Sequence, residues 1–227
     1  MLAVYVSGHG YGHATRTAEV LRVLREKVPA LPIVVATTAP AFLFERTIAA
    51  PLAVRSVPAD VGLAQKDALT IDEEGTVAAW RAFMAGWERR VEAEARWLRE
   101  SGARLVLGDV PPLAFAAAAR AGLAATALTN FSWDWIYAHL APRNAAFGEA
   151  AVWAREAYRR CTLLLRLPFA GDLSAFPRIE DLPLVARRPR VGKGEARRRL
   201  GLGERPVVLL SFGGVGVRGL PLNNPKI

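Results

Sequence analysis

The chain has 227 residues, of which 52% are hydrophobic and 22% charged. That is apolar surface enough for a full core and too little charge for a disordered polymer. No apolar run approaches the roughly 20 residues of a membrane span. The single cysteine, Cys161, excludes an internal disulfide and fits a reducing, cytoplasmic setting. A net charge of +9 admits an anionic partner, whether nucleic acid, acidic lipid headgroups or a phosphorylated substrate.

Leu2–Ser7 reads as a buried strand that begins at once, leaving no room for a signal peptide. A glycine-rich turn, Ser7–His13, leads into a helix over Thr15–Lys27 with Ala18, Leu21, Leu24 and Val28 on one face. Pro32–Thr38 is a β-branched run suited to a strand covered on both faces. Ala41–Ala50 reads as a short helix and Leu52–Val57 as a third strand. A polar loop follows, through Asp60, Gly62, Gln65, Asp67 and Asp72. The longest helix is expected from about Glu73 to Glu100, where Val77, Trp80, Met84, Trp87, Val91 and Leu98 form a stripe that packs on a sheet.

Arg104–Leu107 is a fourth strand ending at Gly108-Asp109, after which Pro111 and Pro112 open an alanine-rich helix to Ala121. Ala124–Leu128 is a fifth strand, Asn130–Trp135 opens a helical stretch, and Asn144–Arg160 is a further helix. Cys161–Leu167 is a sixth strand. Short apolar strands alternating with helices call for a Rossmann-like, doubly wound parallel sheet, an α/β fold. Its strand-to-helix loops then meet at the carboxyl edge although far apart in sequence. Pro168–Arg190 reads as loop and linker, and Gly192–Leu200 as a short basic helix. Arg205–Ser211 reads as a new strand that runs into Phe212-Gly213-Gly214.

The Gly-rich loop carries two of the three histidines. It reads G-H-G-Y-G-H, so the dinucleotide fingerprint G-x-G-x-x-G fails, and no G-x-x-x-x-G-K-[ST] occurs in the chain. His13, at a helix start, suits a neutral ring acting as a base, and His9 lies within the turn. Asp109 ends a strand on the same edge and is the natural partner to fix the imidazole tautomer, or else a helix N-cap. A metal reading with His9, His13, Asp109 and His139 lacks an H-E-x-x-H or a cysteine cluster to support it. Asn130–Trp135 mixes amide, hydroxyl, carboxylate and aromatic groups, the set a sugar ring needs, or a helix N-terminus capped by Ser132 or Asn130. The basic stretch Arg187–Arg199 has no interleaved aromatic, which speaks against a base-stacking surface.

The segments S-G-H-G-Y-G-H-A-T-R, L-G-D-V-P-P, T-N-F-S-W-D-W-I-Y, D-L-P-L-V-A-R and V-V-L-L-S-F-G-G together resemble glycosyltransferase-like proteins related to the N-terminal part of plant L-arabinokinase. The resemblance runs from Val4 to Leu220 and extends to two-domain nucleotide-sugar glycosyltransferases of GT-B fold. It implies a first domain that binds the acceptor, with His13 as general base and Asp109 orienting it. His9, Gly10, Gly12, Asn130, Trp133 and Asp134 would line the acceptor site. Ser211, Gly213 and Gly214 match the turn that holds the donor diphosphate. Arg16 stands where many relatives have proline.

The expected organisation is an acceptor-binding domain over 1–185, a basic linker over 186–204 and the start of an incomplete donor-binding domain over 205–227. The resemblance implies a sugar transferred from a nucleotide-sugar co-substrate, UDP-linked, to a small-molecule or lipid-linked hydroxyl, with no cofactor, metal or nucleic acid. It allows peripheral membrane contact. Little or no transfer is expected from this chain alone. The alternative is a non-catalytic module that senses a sugar or nucleotide sugar.

Overall fold

The computed structural model describes residues 1–49, 51–211, 216 and 217. In chain order the elements are β1 (Leu2–Val6), α1 (Tyr11–Lys27), β2 (Ile33–Thr37), α2 (Phe42–Glu45), β3 (Ala53–Ser56), β4 (Gln65–Asp67) and β5 (Thr70–Ile71). Then come α3 (Glu73–Met84), α4 (Trp87–Glu100), β6 (Leu105–Asp109), α5 (Pro112–Ala121), β7 (Ala125–Thr129) and α6 (Trp133–Leu140). The last are α7 (Ala146–Tyr158), β8 (Leu163–Arg166), β9 (Ile179–Asp181) and α8 (Lys193–Arg199).

Seven strands form one sheet in the order β3-β2-β1-β6-β7-β8-β9, and every neighbouring pair is parallel. The chain winds outward from β1 to β3, returns to β6 and winds out the other way. The reversal falls between β1 and β6, where an open parallel sheet leaves a crevice at its carboxyl edge. Val6 and Asp109 are register partners there, and the Ser7 N–H reaches the Asp109 carbonyl at 3.3 Å.

Alternation along β1 divides the core in two. Ala3 and Tyr5 join a cluster with Trp80, Leu98, Phe115 and Tyr158 of α3, α4, α5 and α7. Leu2, Val4 and Val6 join the other with Leu21 of α1 and Phe44 of α2. Both faces of the central strands are therefore covered, which is why they read as unbroken apolar runs.

Several elements depart from the sequence reading. The long helix breaks at Ala85-Gly86 into α3 and α4. Gly86 leaves helical geometry, at φ −118° and ψ 14°, and a Cβ there would strike the Arg90 guanidinium. Arg90 donates to the Phe83 carbonyl at 2.9 Å and so satisfies the end of α3. The polar loop holds the hairpin β4–β5, and the proline-rich stretch holds β9, pinned by a two-bond pair of Arg166 with Asp181 across the ladder (2.6 and 3.0 Å).

The strand expected over Arg205–Ser211 does not form. Val208 and Leu209 are 82% and 85% exposed, and no strand lies beside them to bond to among the described residues. Gly213 and Gly214 lie outside the described residues, as does Ala50.

Candidate functional site

The first loop is shaped by its glycines. Gly8 lets the chain after β1 press against the chain after β2, because a Cβ there would collide with Thr38 Oγ1. Gly10 takes φ 71°, a left-handed conformation, and serves as N-cap of α1. The helix therefore starts at Tyr11, four residues before the expected Thr15, and places Gly12 and His13 in its first turn. No side chain caps that turn and no acid lies in it.

His13 is buried, and its Nδ1 meets Asp109 Oδ1 at 2.9 Å. Asp109 ends β6 with no exposed surface and is no helix cap, since Pro111 holds that position in α5. Its other contacts come from α1 as well. Thr17 donates to Oδ2 at 2.7 Å, Arg16 Nε to Oδ2 at 3.2 Å and Arg16 Nη2 to Oδ1 at 2.5 Å. Residues 13, 16 and 17 share one helix face, so a single turn of α1 saturates the carboxylate. Burial by itself would push this carboxyl up. The facing His13 imidazole and the Arg16 guanidinium outweigh it and hold Asp109 below the usual carboxylate range. With the carboxylate as acceptor, Nδ1 carries the ring proton and Nε2 is left as the basic nitrogen.

The third loop closes the arrangement. Asn130 Oδ1 accepts from Arg16 Nη1 at 2.9 Å, so Arg16 ties the ends of β1, β6 and β7 together. The Phe131 ring stands edge-on to His13, with centroids 5.3 Å apart. Trp133, almost wholly buried, meets the His9 ring edge-on and donates Nε1–H to Asp60 Oδ2 at 2.9 Å. His9 is also held by the backbone of Gly62, where a Cβ would come within 2.8 Å of its ring. Burial, and then the nearby His13, pushes His9 below the ordinary imidazole value. Burial pushes the Asp60 carboxyl up, against hydrogen bonds from Ser7 and Trp133.

One buried phenol joins two of these loops. Tyr158 donates to the Val110 carbonyl at 2.8 Å and accepts the Trp133 N–H at 3.2 Å. Val110 stands in the left-handed region at φ 76°, a costly conformation for a β-branched residue, directly after Asp109.

The structure thus gathers His9, Gly10, Gly12, His13, Asp109, Asn130 and Trp133 at one edge. Asp134 turns elsewhere. It is buried, its partner is Arg155 of α7 at 3.4 Å, and burial pushes its carboxyl up. Ser132 is the N-cap of α6 without a side-chain cap bond. His139 lies apart, lining an apolar cavity of about 250 Å³ with Ile71 and Trp135. Ser211 is exposed and belongs to no element. Asp60 and Thr17 belong to the site although the sequence reading did not place them in it. Asp60 follows the third strand on the same carboxyl edge, and Thr17 shares the His13 helix face.

A seven-stranded parallel sheet reversing between β1 and β6 is Rossmann-like and matches half of a GT-B fold, with the histidine–aspartate pair at its reversal. Solved structures agree. A UDP-glucosyltransferase from Polygonum tinctorium, capable of glucosylating indoxyl, superposes with a TM-score of 0.51 at 13% identity over 90% of this chain. Phytolacca americana UGT2, complexed with UDP-2fluoro-glucose and pterostilbene, does so with a TM-score of 0.52 at 10% identity over 88%. This chain covers 57% of each of those chains. By sequence, it is related to L-arabinokinase of Arabidopsis thaliana, with 39% identity over 218 residues. That match takes in 94% of this chain and 21% of the plant protein. No protein-family model matches the sequence. Among the described residues no helix is long and apolar enough to cross a membrane.

Proposed function

We propose that this chain forms the acceptor-binding half of a nucleotide-sugar-dependent glycosyltransferase, with His13 as general base. The observation that carries the reading is the Nδ1–Asp109 hydrogen bond at the sheet's reversal point, which assigns the ring proton and frees Nε2. The acceptor hydroxyl gives its proton to Nε2 as its oxygen bonds to the anomeric carbon of the donor. The nucleoside diphosphate leaves with the electron pair of the broken C–O bond. Asp109 orients the ring and balances the imidazolium that forms.

The two solved neighbours, one a UDP-glucosyltransferase and the other holding a UDP-sugar analogue, support a UDP-linked donor and a small-molecule acceptor. His9, Gly10, Gly12, Asn130 and Trp133 would shape the acceptor side, with Asp60 beside them. Ser211, Gly213 and Gly214 would hold the donor diphosphate, in a domain that begins near residue 205 after a linker over 186–204. No metal or cofactor enters the reaction, and the setting is the cytoplasm.

Arg16 favours a second reading. It balances the charge of Asp109 that would otherwise support His13, and the sequence relative is a sugar kinase. A module that binds a sugar or nucleotide sugar without transferring it has the same needs. Turnover is expected only from a polypeptide with a complete donor-binding domain. In that form His13→Ala should lower the rate by about 10²–10⁴-fold and leave nucleotide-sugar binding intact. Binding by the wild type without turnover, across acceptors and UDP-sugars, establishes the sensor instead.

A further inference from the structure

The basic stretch after β9 plays no part in the site at the sheet edge. Leu182 and Val185 pack on the α1 side of the core, and residues 186–190 then pass over the second half of α1 and the end of α2. Between strap and helices lies a cleft of about 900 Å³, lined by five arginines and two glutamates over a floor that includes Val23 and Ile48. Its size falls within that of small-molecule sites, about 300–1,000 Å³.

The arginines are not equally engaged. Arg22 spends its guanidinium on Glu19 and Glu26. Arg25 gives Nη1 and Nη2 to the carbonyls of Leu31 and Pro51, which leaves its Nε buried and unpaired. Arg190 makes one long bond, 3.4 Å, to the Arg46 carbonyl. Arg187 and Arg188 make no hydrogen bond or ion pair among the described residues. The field of Arg187 and Arg190 nevertheless enters the cleft: Arg22 first, with those two behind it, holds Glu19 below the usual carboxylate range. Unspent guanidinium groups repel one another until an anion joins them, and planar forks suit phosphate oxygens.

We infer that this cleft binds a small phosphate ester or diphosphate through Arg187, Arg188 and Arg190. No aromatic ring lines it, so stacked bases have no platform. The strap is the segment by which the chain leaves the sheet. An anion bound there clamps this segment onto α1, apart from the His13 chemistry at the sheet edge.

Inorganic pyrophosphate and glucose 1-phosphate, titrated calorimetrically into the full chain at low chloride, test it. Saturable binding of either is expected, with a rise in melting temperature. Arg187→Gln/Arg188→Gln changes two exposed side chains and should weaken binding at least about tenfold with the fold intact. His13→Ala should bind as the wild type does. Three results overturn the inference: no binding by the wild type, binding that survives the double variant, or tighter binding to duplex DNA or to phosphatidylserine vesicles than to pyrophosphate.

Discussion

Replacing Asp109 with alanine puts the centre of the site under its most direct test. The carboxylate has no exposed surface and receives His13, Thr17 and two donors of Arg16. Truncation deletes these bonds and strands a guanidinium. Removing one partner of a buried ion pair costs about 3–5 kcal/mol. Arg16 is 19% exposed and keeps its bond to Asn130, so part of its charge can regain water. The loss therefore belongs near the lower limit, about 3 kcal/mol, or about 6–12 °C in melting temperature for a chain of this size. Urea unfolding followed by tryptophan fluorescence reads it directly.

Two controls sharpen the reasoning. Asp109→Asn/Arg16→Met removes both charges and should recover at least about half of the loss, because no buried charge is left unpaired. The pH dependence follows from the depressed folded pKa of Asp109. Its contribution is present above the unfolded carboxylate value, about 3.9, and is lost as pH falls through the lower folded value. The gap between wild type and Asp109→Ala should thus persist down to about pH 4 and narrow from there, closing as pH falls through the lower folded value. A loss under about 1 kcal/mol, or no recovery in the double variant, refutes the account of Asp109 as a buried, saturated anion.

Asp60 has the opposite sign. Its folded pKa is raised, so its contribution is full below the unfolded value and is lost as pH rises through the folded one. Asp60→Asn, whose amide oxygen can still accept the Trp133 indole, should therefore melt higher than wild type near neutral pH and equal it in acid. Gly8→Ala should destabilise by about 1–3 kcal/mol through its collision with the Thr38 hydroxyl, and Thr38→Ala should restore much of that in a double-variant melt. Cys161 is buried and its thiol is pushed up to about 11, so iodoacetamide should label it only under denaturing conditions.

The sequence discloses those parts of the fold that repeat a pattern. Val4, Val35, Val106 and Leu164 lie in runs that are apolar because both faces of the sheet are covered, and each of these four side chains is fully buried in its strand. His13 and Asp109, both expected at the carboxyl edge although 96 residues apart, meet at 2.9 Å. The break at Gly86 left no trace because the apolar stripe continues in phase through Trp87 and Val91. β9 is three residues, Ile-Glu-Asp, all exposed, and so short an edge strand carries no alternation to find. Arg205–Ser211 has the composition of a buried strand, but a strand is completed by neighbours rather than by its own residues. Asp134 goes with Trp133 in the sequence only by adjacency. One residue along a helix is a turn of about 100°, which takes Trp133 to Asp60 and Asp134 to Arg155.

Arg16 decides how the site is understood. A histidine–aspartate pair alone would leave Asp109 as a bare buried anion whose whole field acts on the imidazole. Here a guanidinium three residues along the same helix shares that carboxylate at 2.5 Å and reaches Asn130 on the next loop. The pair gains rigidity, since three strand ends are tied through one side chain. It loses part of the charge that would favour proton transfer to Nε2. Catalysis and sensing thus separate on Arg16 in the complete protein. For a base, Arg16→Gln keeps donors near Asp109 and Asn130, removes the competing charge and should leave or raise the rate at saturating acceptor. For a sensor, the same change loosens the three loops and weakens sugar binding with no rate to recover.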